Sequence, residues 1–348
     1  MKKDKYNVAV LGATGLVGRE MIEILQERKF PVNNLFLLAS EHSAGELIQF
    51  RGTDYAVEPV SADYFKSHKI DIVLSSPGAA ASSKYSPIAA KEGAVVIDNT
   101  SFFRMDKDVP LIVPEVNPED IKYFSKKNII ANPNCSTIQM LVPLKPIHDK
   151  YKIKRIVVST YQSTSGAGKK AIDELFYETV DILNSKAEAA SPDKFPVQIA
   201  FNCIPQIDVF GEGGYTKEEI KMVQETHKIF HDENIGVCAT AVRVPVMFCH
   251  GESINIETEN DFALKDIQSL LSNAKGVKII DNIFSDSADE RYPYQTMVSG
   301  SDDVYVGRIR QDLSVKNGIN LWVVADNVRK GAALNAVQIA EILIDNYI

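Results

Sequence analysis

Short runs of consecutive apolar residues alternate with amphipathic segments over the first 130 residues of the chain. The helical spacing of apolar positions predicts helices at Val17–Glu27 and Tyr85–Lys91. Because apolar strands that alternate with helices form parallel sheets covered on both faces, this part of the chain predicts a parallel α/β domain. The predicted strands are Tyr6–Leu11, Leu35–Ala39, Ile70–Leu74, Ala94–Ile97 and Asn128–Ala131.

The pattern changes after residue 135, where the apolar runs become longer and partly alternate with polar residues. This pattern predicts a mixed or antiparallel sheet that carries helices on one face. Lys186–Pro196 is rich in alanine, serine, proline and charge, which predicts a surface excursion. The apolar segment from Arg329 to Ile344 predicts a helix that returns to the first sheet. The strand candidates are Ile153–Thr160, Val237–Val246, Ser253–Glu257 and Ile319–Ala325.

The length of 348 residues is about enough for two domains. A hydrophobic fraction of 45% and a charged fraction of 24% are those of an ordinary globular protein, which excludes disordered and collagen-like classes. The formal net charge of −8 disfavours nucleic-acid binding, because an acidic surface repels phosphates. Any anionic ligand must therefore be held by arginines and lysines placed locally.

The 4 cysteines, at positions 135, 203, 238 and 249, form no C-x-x-C pair and no cluster with histidine at metal-ligand spacing. This usage predicts free thiols, no disulfide framework and no metal site. No stretch approaches the roughly 20 apolar residues that a membrane-spanning helix needs. The glycines that follow the charged start argue against a signal peptide. We therefore expect a soluble, cytoplasmic protein that binds no membrane.

Gly12, Gly15 and Gly18 form a G-x-x-G-x-x-G motif between the first predicted strand and the first predicted helix. A turn without side chains lets backbone N–H groups and the helix N-terminus approach a pyrophosphate, so this context predicts dinucleotide binding in a Rossmann-type domain. The candidate cofactor-binding residues of the turn are Gly12, Thr14, Gly15, Leu16 and Val17.

A second loop, Ser40–Ser43, follows the second predicted strand, where folds of this type meet the adenosine ribose. An acid in this loop favours NAD by binding the 2′-hydroxyl group, whereas a cation favours the 2′-phosphate of NADP. The loop offers Glu41, His42 and two serines. The residues alone therefore leave the choice of cofactor open.

Cys135 differs from the other cysteines because a turn with proline precedes it and a helical pattern starts at or just after it. A thiol at a helix N-terminus experiences the positive end of the helix dipole and free N–H groups, which stabilise the thiolate. We therefore predict that Cys135 is a nucleophile. The remaining cysteines fit small, buried apolar residues.

A nucleophilic cysteine needs a partner for proton transfer, and His250 is the candidate because it follows an apolar strand that contains Arg243. Strand ends hold side chains rigidly, although a single histidine is more often structural. The polar string Tyr161–Lys169 ends another predicted strand. It is either a flexible turn or a loop that faces the substrate or the nicotinamide.

Seven segments in the same order resemble the aspartate-β-semialdehyde dehydrogenase family, most closely its bacterial branch, and they span nearly the whole chain. The resemblance implies a Rossmann-type NADP-binding domain of residues 1–133 with 328–348. It also implies an α+β catalytic and dimerisation domain with a mixed sheet, residues 134–327, as in glyceraldehyde-3-phosphate dehydrogenase. The segments are Gly12–Gly18, Asn99–Arg104, Val113–Asn117, Asn132–Met140, Gln162–Gly168, Arg243–His250 and Ala325–Ala336.

The resemblance implies NADPH-dependent reductive dephosphorylation of β-aspartyl phosphate to aspartate semialdehyde, or the reverse oxidation with phosphate. It makes Cys135 the nucleophile that forms an acyl thioester, His250 the acid/base, and Gln162 the residue that orients the bound substrate. Arg243 resembles the clamp on the substrate α-carboxylate, a role that suits a planar guanidinium. Glu218 lies where the family contacts the substrate amine.

The resemblance also implies the sites for phosphate and for the nicotinamide. The phosphate site would consist of Arg104, Lys221 and Asn134. The contacts on the nicotinamide side would be Ser165, Gly166 and Asn327.

One position departs from the family pattern. The cofactor loop usually reads Ser-x-Arg-Ser, whereas this chain has Ser40-Glu41-His42-Ser43. We expect NADP to remain usable through Ser40, His42 and Ser43, with discrimination against NAD reduced. The resemblance further implies a homodimer, or a tetramer built from dimers, and a place in the biosynthesis of lysine, threonine and methionine.

Three alternatives stay open on sequence grounds. N-acetyl-γ-glutamyl-phosphate reductase uses the same thioester chemistry on a related fold, and glyceraldehyde-3-phosphate dehydrogenase shares the chemistry with a poorer motif match. A catalytically silent relative would bind only nucleotide. The string Asn134–Gln139, and the placement of Arg243 seven residues before His250, favour the aspartyl enzyme. The presence of both a nucleophile and a base disfavours the silent relative.

Overall fold

The structure, a computed structural model, describes residues 3–184 and 193–348. Its α-helices are α1 (Leu16–Glu27), α2 (Ala62–Ser67), α3 (Ala79–Lys91), α4 (Cys135–Tyr151), α5 (Lys169–Leu183), α6 (Lys217–Phe230), α7 (Leu264–Ser272), α8 (Ala288–Arg291), α9 (Gln295–Val298) and α10 (Leu334–Asn346). Its strands are β1 (Tyr6–Leu11), β2 (Val32–Ala39), β3 (Leu47–Phe50), β4 (Thr53–Ala56), β5 (Glu58–Pro59), β6 (Ile72–Ser75), β7 (Val95–Asp98), β8 (Ile129–Ala131), β9 (Ile153–Gln162), β10 (Gly236–Arg243), β11 (His250–Thr258), β12 (Val277–Ile279), β13 (Val304–Gln311) and β14 (Gly318–Ala325).

The chain divides into two compact units, one formed by Met1–Asn134 with Ala332–Ile348 and the other by Cys135–Gly331. The first unit contains a parallel sheet in the order β5-β2-β1-β6-β7-β8. Helices α1 and α10 pack together and α10 contacts the middle strands, while α3 packs on β6, β7 and β8. The predicted parallel α/β architecture is therefore confirmed for this unit.

The C-terminal helix begins later than the sequence pattern predicts. Arg329–Ala333 forms a π-helical turn, and the regular helix α10 starts at Leu334. Leu334, Val337 and Leu343 are fully buried in the core that α10 shares with α1 and the parallel sheet. An all-apolar helix face at the end of the chain thus completes the first unit, as predicted.

The second unit contains a mixed sheet in the order β10-β9-β11-β14-β13-β12. The pairs of β9 with β10 and of β12 with β13 are parallel, and the pairs between β9, β11, β14 and β13 are antiparallel. Helix α4 packs against this sheet and against α6 and α7, so these helices share one face. This arrangement confirms the predicted mixed sheet with helices on one face.

Two predicted strands of the second unit have different ends from the observed strands, on either side of the segment 244–249. The strand predicted at Val237–Val246 ends at Arg243, and the strand predicted at Ser253–Glu257 already begins at His250. The polar residues His250 and Glu252 lie inside β11 and are completely buried. A pattern of apolar residues cannot detect a strand that begins with buried polar side chains.

The predicted surface excursion Lys186–Pro196 lies largely outside the described residues. In its described part, the backbone N–H groups of Asp193, Lys194 and Phe195 donate to the carboxylate of Glu174 on α5. Across residues 3–184 and 193–348, no helix is long and apolar enough to cross a membrane.

Candidate active site

The glycine turn between β1 and α1 has the geometry that a dinucleotide phosphate site needs. Gly12 has a φ of +85°, and a β-carbon at this position would lie 2.6 Å from the carbonyl oxygen of Ser76. Helix α1 starts at Leu16, and its N-cap residue is Gly15. Because glycine has no side chain, no side-chain cap occupies the N–H groups of the first turn. The backbone N–H groups at this helix end are therefore directed at the turn, where an anion would be stabilised.

A cleft of about 570 Å³ adjoins this turn within the first unit. Its volume lies in the range of small-molecule and cofactor sites. The residues present thus fit a dinucleotide, with glycine backbone beside the expected pyrophosphate and the loop after β2 beside the expected ribose. The cleft is lined by Leu11, Gly12, Thr14, Gly15, Ala39, Ser40, Glu41, His42, Val60, Ser76, Pro77, Ala81 and Tyr85.

The loop after β2 is an exposed turn of one acid, one imidazole and two serines. Glu41 and His42 are exposed, and Ser43 is partly buried. The hydroxyl group of Thr14 donates to that of Ser43 at 3.3 Å, which ties the loop to the glycine turn. Arg19, the cation on the adjacent turn of α1, pairs with Glu46.

Cys135 is the first residue of α4, as the sequence predicts, and it is partly exposed. Burial lowers the pKa of Arg243, whereas the nearby negative charges of Glu218 and of the Cys135 thiolate act in the opposite direction. The buried guanidinium and the helix N-terminus therefore both favour the thiolate form of Cys135.

His250 is completely buried at the start of β11, and the loop after β9 holds its ring. The backbone N–H of Ser163 donates to His250 Nδ1 at 3.0 Å, and the Ser163 hydroxyl group lies 3.0 Å from the same atom. Burial and the charge of Arg243 hold the pKa of His250 well below its usual range. The imidazole is thus fixed in position and neutral.

Asn327 holds the loop and the residue before His250 together. Its Oδ1 accepts hydrogen bonds from the hydroxyl group of Ser163 at 3.0 Å and from the backbone N–H of Cys249 at 3.0 Å. Its Nδ2 donates to the Ser165 hydroxyl group at 3.0 Å. Cys249 has a φ of +69°, an uncommon conformation for a residue other than glycine, and this set of bonds supports it.

Gln162, Glu218 and Lys221 form a connected group beside Arg243. The Gln162 amide donates to Glu218 Oε1 at 3.2 Å, and Lys221 Nζ lies 3.3 Å from Glu218 Oε2. Lys221 also pairs with Asp208 at 2.9 Å. Glu218 is positioned by α6, whose first turn is fixed by a capping box between Thr216 and Glu219. The group presents an amide, a carboxylate and an ammonium, which suits a zwitterionic substrate.

The two predicted phosphate residues of the first unit are both buried. Arg104 Nε donates to the carbonyl oxygen of Asn132 at 2.9 Å, and its NH2 group donates to that of Asn99 at 3.0 Å. Asn134 is buried directly before the nucleophile. The structure thus fixes the Arg104 guanidinium against the strand ends that lead to Cys135.

The contacts and charge interactions described above link the predicted site residues of the second unit, and Gly166 joins them because a β-carbon there would lie 3.1 Å from Arg243 Nη1. They are Cys135, Gln162, Ser165, Gly166, Glu218, Lys221, Arg243, His250 and Asn327. Sequence reasoning did not assign roles to two further residues, Ser163 and Gly331. Ser163 lies in a polar string that the sequence singles out, but Gly331 has no signal of its own, because its role depends on a contact with Cys135.

Nowhere in residues 3–184 and 193–348 do three or more His, Cys, Asp or Glu side chains form a group that could hold a metal ion.

Family models match most of the chain in two parts. Residues 7–124 match the model described as "Semialdehyde dehydrogenase, NAD binding domain", and residues 144–330 match "Semialdehyde dehydrogenase, dimerisation domain". The sequence is 56% identical over 340 residues to the aspartate-semialdehyde dehydrogenase of Aquifex aeolicus strain VF5. That alignment covers 97% of this chain and 98% of the relative.

Two solved structures have the same architecture. The aspartate semialdehyde dehydrogenase II of Vibrio cholerae, complexed with ASA, superposes with a TM-score of 0.93 at 52% identity, covering 99% of this chain and 100% of that one. The aspartate semialdehyde dehydrogenase of Candida albicans with NADP superposes with a TM-score of 0.73 at 26% identity, covering 97% and 98%.

Proposed function

The chain belongs to the aspartate-semialdehyde dehydrogenase family, and on that premise we propose how its own residues carry out the reaction of this family. The reaction is the NADPH-dependent reductive dephosphorylation of β-aspartyl phosphate to aspartate semialdehyde, and its reverse with phosphate. The observation that carries the proposal is the combination of a cysteine at the N-terminus of α4 with Gln162, Arg243 and His250 in one unit. The relatives do not favour N-acetyl-γ-glutamyl-phosphate reductase as the alternative.

NADP would be held by the glycine turn and by the loop after β2. When bound, it supplies or accepts the hydride of the reaction. The turn residues Gly12–Val17 would hold the pyrophosphate through backbone N–H groups. Ser40, His42 and Ser43 would contact the ribose end, and Ser165, Gly166 and Asn327 are the proposed contacts near the nicotinamide.

Cys135 would act as the nucleophile. Its thiolate attacks the acyl carbon of β-aspartyl phosphate, the carbon–sulfur bond forms, and phosphate departs. Helix α4 and the guanidinium of Arg243 stabilise the thiolate before the attack. His250 would handle the proton, or the hydrogen bond, at the carbonyl oxygen of the thioester.

Arg243, Glu218 and Gln162 would position the aspartyl group. Arg243 would bind the α-carboxylate through its planar guanidinium, and the Glu218 carboxylate would accept from the α-ammonium group. Gln162 bonds to Glu218 and would orient the thioester from the same place. Arg104, Lys221 and Asn134 would supply the donors for phosphate.

The second unit carries a dimerisation domain by the description of the family it matches. The face of its sheet opposite α4 bears Ser253, Tyr161 and Trp322. The rings of Tyr161 and Trp322 lie 5.5 Å apart. We propose that this face meets a second copy, giving a homodimer from which a tetramer could be built. The cytoplasmic location and the role in lysine, threonine and methionine biosynthesis accompany the proposal as predictions.

The function is tested by phosphate-dependent oxidation of aspartate semialdehyde, followed as NADPH formation. The wild-type protein is expected to be active only with phosphate, and Cys135→Ala to lose activity by at least about a thousandfold. Cys203→Ala, at an exposed cysteine, is the matched control and should retain activity. Full activity of Cys135→Ala would contradict the mechanism.

A further inference from the structure

The backbone N–H of Ser163 restricts where His250 can carry a proton. This N–H donates to Nδ1 across 3.0 Å, so Nδ1 accepts through its lone pair, and a proton on Nδ1 would be directed at the N–H. A neutral imidazole carries one proton, which must then be on Nε2. The charged form, with protons on both nitrogens, would direct two N–H groups at one another.

We propose that His250 acts as a fixed Nε2–H hydrogen-bond donor to the carbonyl oxygen of the substrate and never accepts the thiol proton of Cys135. This inference deepens the proposed function and rests on it. It replaces the predicted acid/base role of His250 with hydrogen-bond donation from Nε2–H. Ser163 is the positioning residue, because it acts through His250.

The hydrogen bond from Ser163 is itself held from two sides. Its carbonyl oxygen accepts from Arg243 Nη1 at 2.6 Å, and its hydroxyl group donates to Asn327 Oδ1 at 3.0 Å. The N–H of Ser163 shares its peptide group with the Gln162 carbonyl oxygen, which accepts from the backbone N–H of Val244 at 3.0 Å. This peptide group therefore has a fixed orientation, so the N–H does not turn away from Nδ1. The charge of Arg243 beside the ring also disfavours an imidazolium.

The other ring nitrogen, Nε2, is buried beside Gly166, a position that has no side chain. Among the described residues, no group accepts a hydrogen bond from His250 Nε2, although the ring is completely buried. A β-carbon at Gly166 would lie 3.3 Å from this atom, so the absence of a side chain there leaves room beside it. A buried N–H without a partner costs free energy, and an incoming carbonyl oxygen would remove that cost.

The reaction needs no base at Cys135 if the cysteine is already a thiolate. The thiolate forms a bond to the acyl carbon and phosphate leaves, taking its proton from solvent. After hydride addition the carbonyl electron pair lies on oxygen, where Nε2–H donates to it. Collapse of this anion restores the C=O bond, breaks the carbon–sulfur bond and returns the thiolate. Sulfur leaves in the ionisation state in which it entered.

The first test measures the ionisation of the Cys135 thiol and not the activity of the enzyme. The rate of Cys135 alkylation by iodoacetamide is followed against pH in a background with Cys203→Ser and Cys238→Ser, which removes the exposed thiols. We expect the midpoint for His250→Asn to stay within about 0.5 pH unit of the parent protein, and Arg243→Gln to raise it by about 1 unit. A rise of more than about 0.5 unit in His250→Asn would overturn the proposal.

The second test identifies the tautomer in the intact wild-type chain. Long-range ¹H–¹⁵N correlation spectra of protein labelled in histidine separate protonated from unprotonated ring nitrogens, and the His250 signals are those lost in His250→Asn or, if that variant does not fold, in His250→Gln. We expect one proton, on Nε2, from about pH 5.5 to about pH 8.5. A proton on Nδ1 at any pH in this range would contradict the proposed role of His250. Neither test uses substrate or cofactor, so failure of the proposed function would be seen separately.

Discussion

A β-carbon at Gly331 would lie 2.7 Å from the β-carbon of Cys135, well inside the separation at which two non-bonded carbon atoms attract. Gly331 is buried in the π-helical turn Arg329–Ala333, and its φ lies outside the left-handed region. Glycine is therefore needed at this position because it leaves space for Cys135, and not because the backbone adopts a conformation that only glycine tolerates. The missing side chain lets the nucleophile sit at the first position of α4.

Gly331→Ala is expected to displace Cys135 and to lower kcat by about a hundredfold, because a misplacement near 1 Å has effects of this size. The fold should persist, since alanine can adopt this backbone conformation. The check is kcat together with the alkylation rate of Cys135. Gly211→Ala is the matched control, because its β-carbon would meet its nearest atom at an ordinary 3.7 Å. Unchanged kinetics of Gly331→Ala would mean that the turn yields without moving the cysteine.

Arg243→Lys is expected to raise KM for aspartate semialdehyde by about tenfold or more with a smaller change in kcat. Lysine keeps the charge but loses the planar pair of donors for a carboxylate. It also cannot reproduce both the bond to Ser163 and a bidentate clamp. Arg155→Lys, at an exposed side chain near the start of β9, serves as the control. An unchanged KM would remove Arg243 from the carboxylate site.

His42→Arg is expected to raise the preference for NADP over NAD by about tenfold, measured as the ratio of kcat/KM values. A guanidinium beside Ser40 and Ser43 would pair with the 2′-phosphate through parallel charged N–H donors, which an imidazole ring does not offer. The wild-type ratio should be well below about a thousand because Glu41 adjoins His42. A wild-type preference of a thousandfold would contradict this account. His68→Arg, outside the cofactor cleft, is the control.

Local sequence was enough for those parts of the site that consist of one turn and its neighbours. The glycine turn at Gly12 and the helix start at Cys135 are determined by residues adjacent in the chain, and both were predicted correctly in position. The contacts of Ser163 with His250 and of Gly331 with Cys135 join residues 87 and 196 positions apart. Only the folded sheet brings such pairs together, so no local pattern predicts them.

The fold shows the same limit. Strands with buried apolar faces, such as β1, were located to the residue, while β13 was missed because Arg308 and Arg310 interrupt its apolar pattern. These arginines face a cleft beside Trp322 and Tyr292 on the outer side of the sheet. The residues on that face line a cleft and do not pack in the core. The spacing of apolar residues within the strand therefore does not predict them.

Glu252 gives the protein a dependence of stability on pH that a single substitution should remove. Its carboxyl group is completely buried on β11, and burial raises its pKa well above the ordinary value of 4.5, while Ser136 and Gln139 offset part of the rise. The nearby charge of Glu218 adds to the rise. Between pH 4.5 and this raised pKa, the folded protein therefore holds Glu252 as a neutral acid, whereas the unfolded chain ionises it.

The sign follows from that difference in proton binding. Between pH 4.5 and the raised pKa, the unfolded chain binds fewer protons at this position, so the contribution of Glu252 to stability is complete at the low end and is lost as pH rises. Glu252→Gln has nearly the same shape and does not titrate. We expect its Tm to match the wild type near pH 4.5 and to exceed it increasingly towards pH 8, by about 2–4 °C per kcal/mol removed. Glu233→Gln, at an exposed position, should show no such trend. A Tm difference that stays constant across this range would mean that Glu252 is ionised in the folded protein.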